Sequence, residues 1–314
     1  MGAWVKPPSF EYHRPAELAE AVAVLADLGA DGKVLAGGQS LVPLLNMRLA
    51  APHALVDINR LGGELGGIRV DAEEVRIGAL VRHGWLLHDG PHDAVLPLLR
   101  QATGHVAHET IRNRGTTVGS LVHADPAGEM PAVLVLCDGS MQLASASGTR
   151  TVEASDFFLG PLESALRPGE LAVSATFRVP GGQTGSAWVE VSRRAGDYAL
   201  CGVGLTVTLA RDGSVAGARA AYISVASTPL LVDLTDVVAG AAPDAVDWAA
   251  AGEHAQAHTE PEDDIHATAE YRQHLVGVLT ARAGRAALEH ARSRPSTPEL
   301  ALAQESKSQG TRDA

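Results

Sequence analysis

Val34-Leu35-Ala36-Gly37-Gly38-Gln39-Ser40-Leu41 joins a short apolar strand to an apolar helix that Leu44 and Leu45 continue. Two adjacent glycines admit φ > 0 and carry no side chain, so successive backbone N–H groups can converge on an anion where the helix begins. Gln39 and Ser40 add side-chain donors. By itself a Gly-Gly turn before a helix is more often only a turn. Upstream, Leu18, Ala21, Val22, Leu25 and Leu28 recur at helical spacing and predict a helix over 15–28, closed by Gly29 and the Asp31-Gly32 turn. With a strand around Phe10 and Tyr12 before that helix, a strand over 33–35, the glycine turn, a helix to about 49 and a strand over 54–58 complete a small β-α-β-α-β unit. Its turn lies at the carboxyl end of a strand, where open sheets bind ligands.

From Gly67 the rhythm changes to strands, over 67–70 and 74–78, followed by helices around 84–88 and over 95–107. Then comes a second loop of small and hydroxylated residues, Arg114-Gly115-Thr116-Thr117-Val118-Gly119-Ser120, which runs on to His123-Ala124-Asp125-Pro126-Ala127-Gly128-Glu129. An apolar segment over 130–136 and a hairpin across Ser147-Gly148 complete an α+β region that ends near Pro180, with 181–185 as linker. Strands over 187–192, 202–209 and 214–225, then helices, the last over 264–290, predict an antiparallel sheet with helices packed on it. After Arg294 the composition turns to Ser, Pro, Thr, Gln and Lys, which predicts a mobile tail. The expected units are 1–58, 59–180 and 186–292, with 293–314 as the tail.

With 314 residues, 46% of them hydrophobic, the chain is long enough for two or three domains with their own cores. A net charge of −12 argues against a protein that tracks nucleic-acid phosphates. The apolar stretches over 132–137 and 201–210 are far shorter than the ~20 residues a membrane helix needs. The start has no apolar h-region, so no Sec-type signal is expected and the chain reads as cytoplasmic, with membership of a membrane-associated complex left open. Cys137 and Cys201 cannot supply the four thiolates of an iron–sulfur cluster, and both lie in apolar runs. The thirteen histidines fall at no spacing that favours a metal site. Gly202-Val203-Gly204 begins like a dinucleotide fingerprint but continues as a strand, and Gly38-Gln39-Ser40 lacks the closing glycine of a nucleophile elbow.

Four segments together resemble the FAD-binding medium subunits of the molybdenum hydroxylases, the family of carbon monoxide dehydrogenase, xanthine dehydrogenase and bacterial N-heterocycle dehydrogenases. They are the turn at 36–41, the loop from Arg114 through His123-Ala124-Asp125-Pro126 to Glu129 and Pro131, the segment Arg193-Arg194-Ala195-Gly196-Asp197-Tyr198-Ala199, and the helix bearing Ala269-Glu270-Tyr271-Arg272. The likeness runs over about 9–288. It implies an α+β fold: a two-subdomain FAD-binding fold of the PCMH (vanillyl-alcohol-oxidase-like) type, followed by a small α+β C-terminal domain with an antiparallel sheet and helices.

By the same resemblance Ala36, Gly37, Gly38, Gln39, Ser40 and Leu41 hold the FAD diphosphate, and Thr116, Gly119 and Ser120 form the opposite wall. Glu129 matches the family acid that hydrogen-bonds cofactor hydroxyls, with Asp125 as a second carboxylate; the alternative role for both is a helix N-cap. Tyr198 aligns with the aromatic that lies against the isoalloxazine, its alternative being a core tyrosine at the start of a buried strand. Val106, Leu166 and Leu171 fall where the family places apolar residues around the flavin. No side chain is assigned a catalytic role, since the flavin itself takes up and releases electrons. Molybdopterin is implied on a large partner subunit and 2Fe-2S clusters on a small one, in a dimer of heterotrimers. Where the family has Gly-Gly this chain has Val118-Gly119; a β-branched residue resists φ > 0, so an ordinary backbone and a looser grip on the cofactor are expected there. Two other readings are a self-sufficient flavoprotein oxidase or reductase and a scaffold subunit that has lost FAD.

Overall fold

The computed structural model describes residues 6–294, so the predicted tail lies outside the described residues except at its first two positions. There the chain is ordered by contact: Arg294 donates to Ala94 O at 2.6 Å, directly after the last helix.

The first unit consists of β1 (Glu11–His13), α1 (Leu18–Leu28), β2 (Gly32–Leu35), α2 (Leu41–Asn46) and β3 (Ala54–Asp57). Its three strands are parallel in the order β1-β3-β2. Every residue of β3 is buried, as expected of a central parallel strand covered on both faces. Helix α2 ends three residues before the predicted position. Arg48 adopts φ 57° and Leu49 N bonds back to Leu44 O at 2.9 Å, a left-handed stop that hydrophobic spacing does not reveal.

The second unit contains β4 (Ile68–Val70), β5 (Glu74–Gly78), α3 (Leu98–Thr103), α4 (Thr117–His123), α5 (Glu129–Leu136), β6 (Ser140–Ser145) and β7 (Gly148–Glu153). The short hairpin β8 (Phe158–Gly160) and β9 (Glu163–Ser164) then leads to β10 (Leu171–Arg178). The main sheet is antiparallel, in the order β4-β5-β10-β6-β7. The segment expected as a helix around 84–88 is a 3-10 turn over His83–Leu87. The helix predicted over 95–107 is reduced to α3, because Gly104 caps it and Ala107 turns the chain with φ 42°. Helix α5 is buried nearly all round, through Met130, Pro131, Ala132, Val133, Leu134 and Leu136. One continuous core joins the first two units, with Ala21, Leu25 and Val56 in the same cluster as Ile77, Leu121, Met141 and Phe177.

In the third unit β11 (Gln183–Ser192), β12 (Ala199–Leu209), β13 (Val215–Ile223) and β14 (Leu230–Asp233) form an antiparallel meander. Helices α6 (Trp248–Ala257) and α7 (Ala269–Ser293) contribute to its core. Gly202-Val203-Gly204 lies inside β12 and not in a phosphate turn. Strand β11 begins at Gln183, so the expected linker is shortened, and β14 is a fourth strand beyond the three predicted. At Gly185 a Cβ would lie 2.1 Å from Ala291 N and 2.2 Å from Ala287 O, so the bare backbone of β11 rests directly on α7. The predicted start of α7 at 264 is five residues early. Asp264 instead accepts the amides of His266 and Ala267 and pairs with Arg272 at 2.6 Å, while Thr268 caps the helix through Tyr271 N. Cys137 and Cys201 are buried, and desolvation pushes both thiols up to about 12, leaving them unreactive. Among the described residues no helix is long and apolar enough to cross a membrane.

Candidate functional site

The two glycine-bearing turns touch. A Cβ on Gly37 would come within 2.3 Å of Arg114 O and 2.8 Å of Gly115 Cα, so only a bare backbone allows this approach. Gly38 adopts φ 73° and aims the turn into α2. Among the described residues the amides of Gly37, Gly38, Gln39 and Ser40 donate to no carbonyl and no side chain. Four unpaired donors on consecutive residues suit an anion with several acceptor oxygens. Gln39 adds less than its sequence position suggests, because its Nε2 donates to Gly37 O at 3.1 Å and closes the turn on itself.

Across the cleft, Thr116 is the N-cap of α4 and accepts Gly119 N at 3.1 Å, so the Gly119 amide serves the helix. Val118 lies in the right-handed first turn of α4, 2% exposed, and its N–H has no acceptor among the described residues. The departure from the family pattern therefore places no strain on the backbone, and the donor survives. Thr116→Ala removes the cap; thermal or urea unfolding should show a loss of about 1 kcal/mol, with the helix-lining core otherwise intact.

All fifteen residues singled out from the sequence line one cleft of about 540 Å³ between the first two units, with the loop before β12 at its rim. Ala36 through Leu41 form one wall. Thr116, Gly119 and Ser120 face them. Val106, Leu166 and Leu171 supply apolar lining, and Asp125, Glu129 and Tyr198 form a polar group close to one another.

Neither carboxylate there is the N-cap of α5. Gly128 holds that position, Asp125 accepts Ala127 N at 2.9 Å in a local turn, and Glu129 is the first helical residue. Burial pushes the Glu129 carboxyl up to about 8; the nearby Glu190 and Asp125 add to this and Arg112 opposes it. Its only hydrogen-bond partner among the described residues is its own amide, which leaves acceptor capacity aimed at the cleft. Tyr198 is not a core residue. The residue is 69% exposed, and burial of its hydroxyl first, then the charge of Asp125 and hydrogen bonding to it, raise its pKa.

Sequence reasoning passed over several lining residues. His83, 4% exposed, is lowered to about 4 by burial, with Arg112 adding to the effect, so it stands neutral behind the second turn. His123 is lowered by burial and by Lys33, against the opposing charge of Asp125. Ala107 and Leu162 line the cleft with φ of 42° and 59°. Alanine and leucine carry no sequence sign of that conformation, whereas His123 could have been found as one helical turn beyond Ser120 on the same face.

A family model described as the FAD binding domain in molybdopterin dehydrogenase matches residues 8–180, and one described as the CO dehydrogenase flavoprotein C-terminal domain matches 186–287. The chain belongs to the FAD-binding medium subunits of the molybdenum hydroxylases. Relatives of this medium subunit include the 6-hydroxypseudooxynicotine dehydrogenase complex subunit alpha of Paenarthrobacter nicotinovorans, 39% identical over 92% of this chain and 97% of the relative. The carbon monoxide dehydrogenase medium chain of Afipia carboxidovorans is 37% identical over 88% and 96%. Among solved structures, quinoline 2-oxidoreductase from Pseudomonas putida 86 superposes with a TM-score of 0.85 at 35% identity, over 91% of this chain and 99% of that one. The medium subunit thus carries an FAD-binding domain and belongs to an oxidoreductase of several subunits. The donor set agrees: unpaired amides suit a diphosphate, an open carboxyl suits sugar hydroxyls, and apolar side chains suit a flavin ring.

Proposed function

We propose that this subunit holds one FAD in the cleft and passes electrons from iron–sulfur clusters on a partner subunit to an external acceptor. The observation that carries this reading is the contact of the two turns with four unpaired amides in a row. In the proposed arrangement Gly37 to Ser40 and the Val118 amide bind the diphosphate, and the Ser120 hydroxyl supports it. Glu129 and Asp125 accept hydrogen bonds from ribityl or ribose hydroxyls. Tyr198 covers the ring, and Val106, Leu166 and Leu171 keep water from it. When bound, the flavin supplies the electron-accepting and electron-releasing chemistry; the side chains bind, orient and shield it.

The remaining parts of the reading follow from the resemblance. A large subunit holds molybdopterin, a small one holds the 2Fe-2S clusters, the assembly is a dimer of heterotrimers, and it works in the cytoplasm. Within this chain we assign 1–58 and 59–180 to the two FAD subdomains and 186–292 to the C-terminal domain.

The full chain expressed alone should purify yellow with one FAD per chain, and substrates of the assembled complex should not bleach it. Assembled with its large and small partners, it should lose flavin absorbance when substrate is added. A chain that stays colourless in excess FAD sinks the cofactor assignment, and bleaching of the isolated chain by an organic substrate sinks the relay.

A further inference from the structure

The two turns make contact, yet among the described residues no hydrogen bond runs directly between 36–41 and 113–120. The polar link between them passes through two side chains that do not line the cleft, Asn59 and Arg82. Asn59 follows β3. Its Nδ2 donates to Ala36 O at 2.9 Å and to Asp57 Oδ1 at 2.6 Å, and its own amide donates to the same Asp57 oxygen at 2.9 Å. The other face of the Asn59 side chain, Oδ1, accepts from Arg82 Nη2 at 2.6 Å, and Arg82 Nη1 donates to Arg114 O at 2.6 Å. That carbonyl is the one against which Gly37 rests.

The bridge is anchored at both ends. Asp57, 7% exposed, is held by the Tyr12 hydroxyl. The backbone on either side of Arg82 pairs with the second turn, through His83 N to Gly115 O at 2.9 Å and Thr117 N to Val81 O at 3.3 Å. A guanidinium is suited to this position because its planar fork presents two donors at a fixed angle, whereas an ammonium is a single point charge. Asn59 likewise uses both ends of its amide at once.

We propose that Asn59 and Arg82 are positioning residues that set the spacing of the two glycine turns, and thereby the affinity of the chain for the flavin dinucleotide without touching it. The proposal rests on the reading of the cleft as the FAD site. It predicts coupling: once either side chain is lost the bridge is open, and loss of the other adds little.

The test uses the full chain, stripped of flavin, as wild type, Asn59→Ala, Arg82→Gln, Arg82→Lys and the Asn59→Ala/Arg82→Gln double variant. FAD dissociation constants come from quenching of FAD fluorescence, and thermal unfolding and hydrogen exchange are followed without FAD. Each of Asn59→Ala and Arg82→Gln should weaken FAD on the order of tenfold. The double variant should be no weaker than the worse single one, and Arg82→Lys should fall between Arg82→Gln and wild type. The FAD-free unfolding midpoint should hardly move, while the hydrogen-bonded amides of 113–120 exchange faster in every variant. A purely structural role would instead lower the FAD-free midpoint and leave the dissociation constant of the folded fraction unchanged. Single variants that bind FAD as tightly as a wild type that does bind it overturn the bridge alone. A wild type that takes up no FAD overturns both the cofactor reading and this proposal.

Discussion

Gly37→Ala should yield a folded chain that purifies without its yellow colour. The added Cβ would stand 2.3 Å from Arg114 O and 2.8 Å from Gly115 Cα, against the 3.4 Å or more of ordinary contact, and both neighbours are backbone. They cannot swing aside as the end of a side chain would. Gly115 is tied on both sides, its amide to Ile111 O at 2.7 Å and its carbonyl to His83 N at 2.9 Å. The first turn must therefore move away and carry its four unpaired amides out of reach of the second. Overpacking of this kind costs about 1–3 kcal/mol, which is roughly a ten- to hundredfold loss of FAD affinity if it falls on the bound geometry. The FAD-to-protein ratio after gel filtration and the dissociation constant from fluorescence quenching read the result. Gly38→Ala makes an instructive pair: its Cβ would meet only side-chain atoms of Leu35 and Val42, at 3.1 and 3.2 Å, so its penalty comes from φ 73° and not from the facing loop. Equal FAD retention by Gly37→Ala and wild type would remove the contact from the account of binding.

The second large effect is one of pH, and it arises at Glu129. Because its folded-state pKa is raised to about 8, the native chain holds a proton between about pH 4.5 and 8 that the unfolded chain has released. More protons bound in the native state means that stability falls as pH rises through this window. This contribution is fully present below the unfolded pKa and lost above the folded one. Glu129→Gln has no such proton to lose, so the flavin-free variant should gain on wild type as pH rises from 5 to 8. The gain should reach on the order of 5 °C in unfolding midpoint at pH 8, with little difference at pH 5. Hydroxyl donors from a bound cofactor would favour the ionised carboxylate, so FAD uptake at pH 7 should release a proton from wild type and none from Glu129→Gln. Calorimetry in buffers of different ionisation enthalpy measures that proton. Parallel pH curves for the two flavin-free chains would show that Glu129 is ionised throughout.

The site was legible largely where its chemistry is local. A pair of glycines before a helix, a threonine able to cap α4 and small residues around the second loop are visible as residue types, because each is chosen by a backbone need within a few positions. The errors fall where a distant partner decides. Apolar spacing carries the predicted helix on through Val106, whereas α3 stops at Thr103, Ala107 turns with φ 42° and its carbonyl, with that of Val106, accepts Arg112 Nη1. Asp264 resembles a helix start, yet its carboxylate closes a loop and binds Arg272, whose guanidinium also reaches Leu200 O and Ser224 O. Tyr198 carries two readings in the sequence, and the core alternative fails because β12 begins one residue later and leaves Tyr198 exposed at the rim.

The order of strands and helices, the positions of the turns that need glycine and the polar side chains available to a cofactor were determined by the sequence itself, because bond geometry and hydrophobic period act over a few residues. Only the tertiary structure decided that the turn at 36–41 meets the loop at 113–120, that Asn59 and Arg82 lie between them, and that the Glu129 carboxyl is withdrawn from water. These depend on which surfaces the shared core draws together, and a shared core is a property of the whole packed chain that no short stretch encodes.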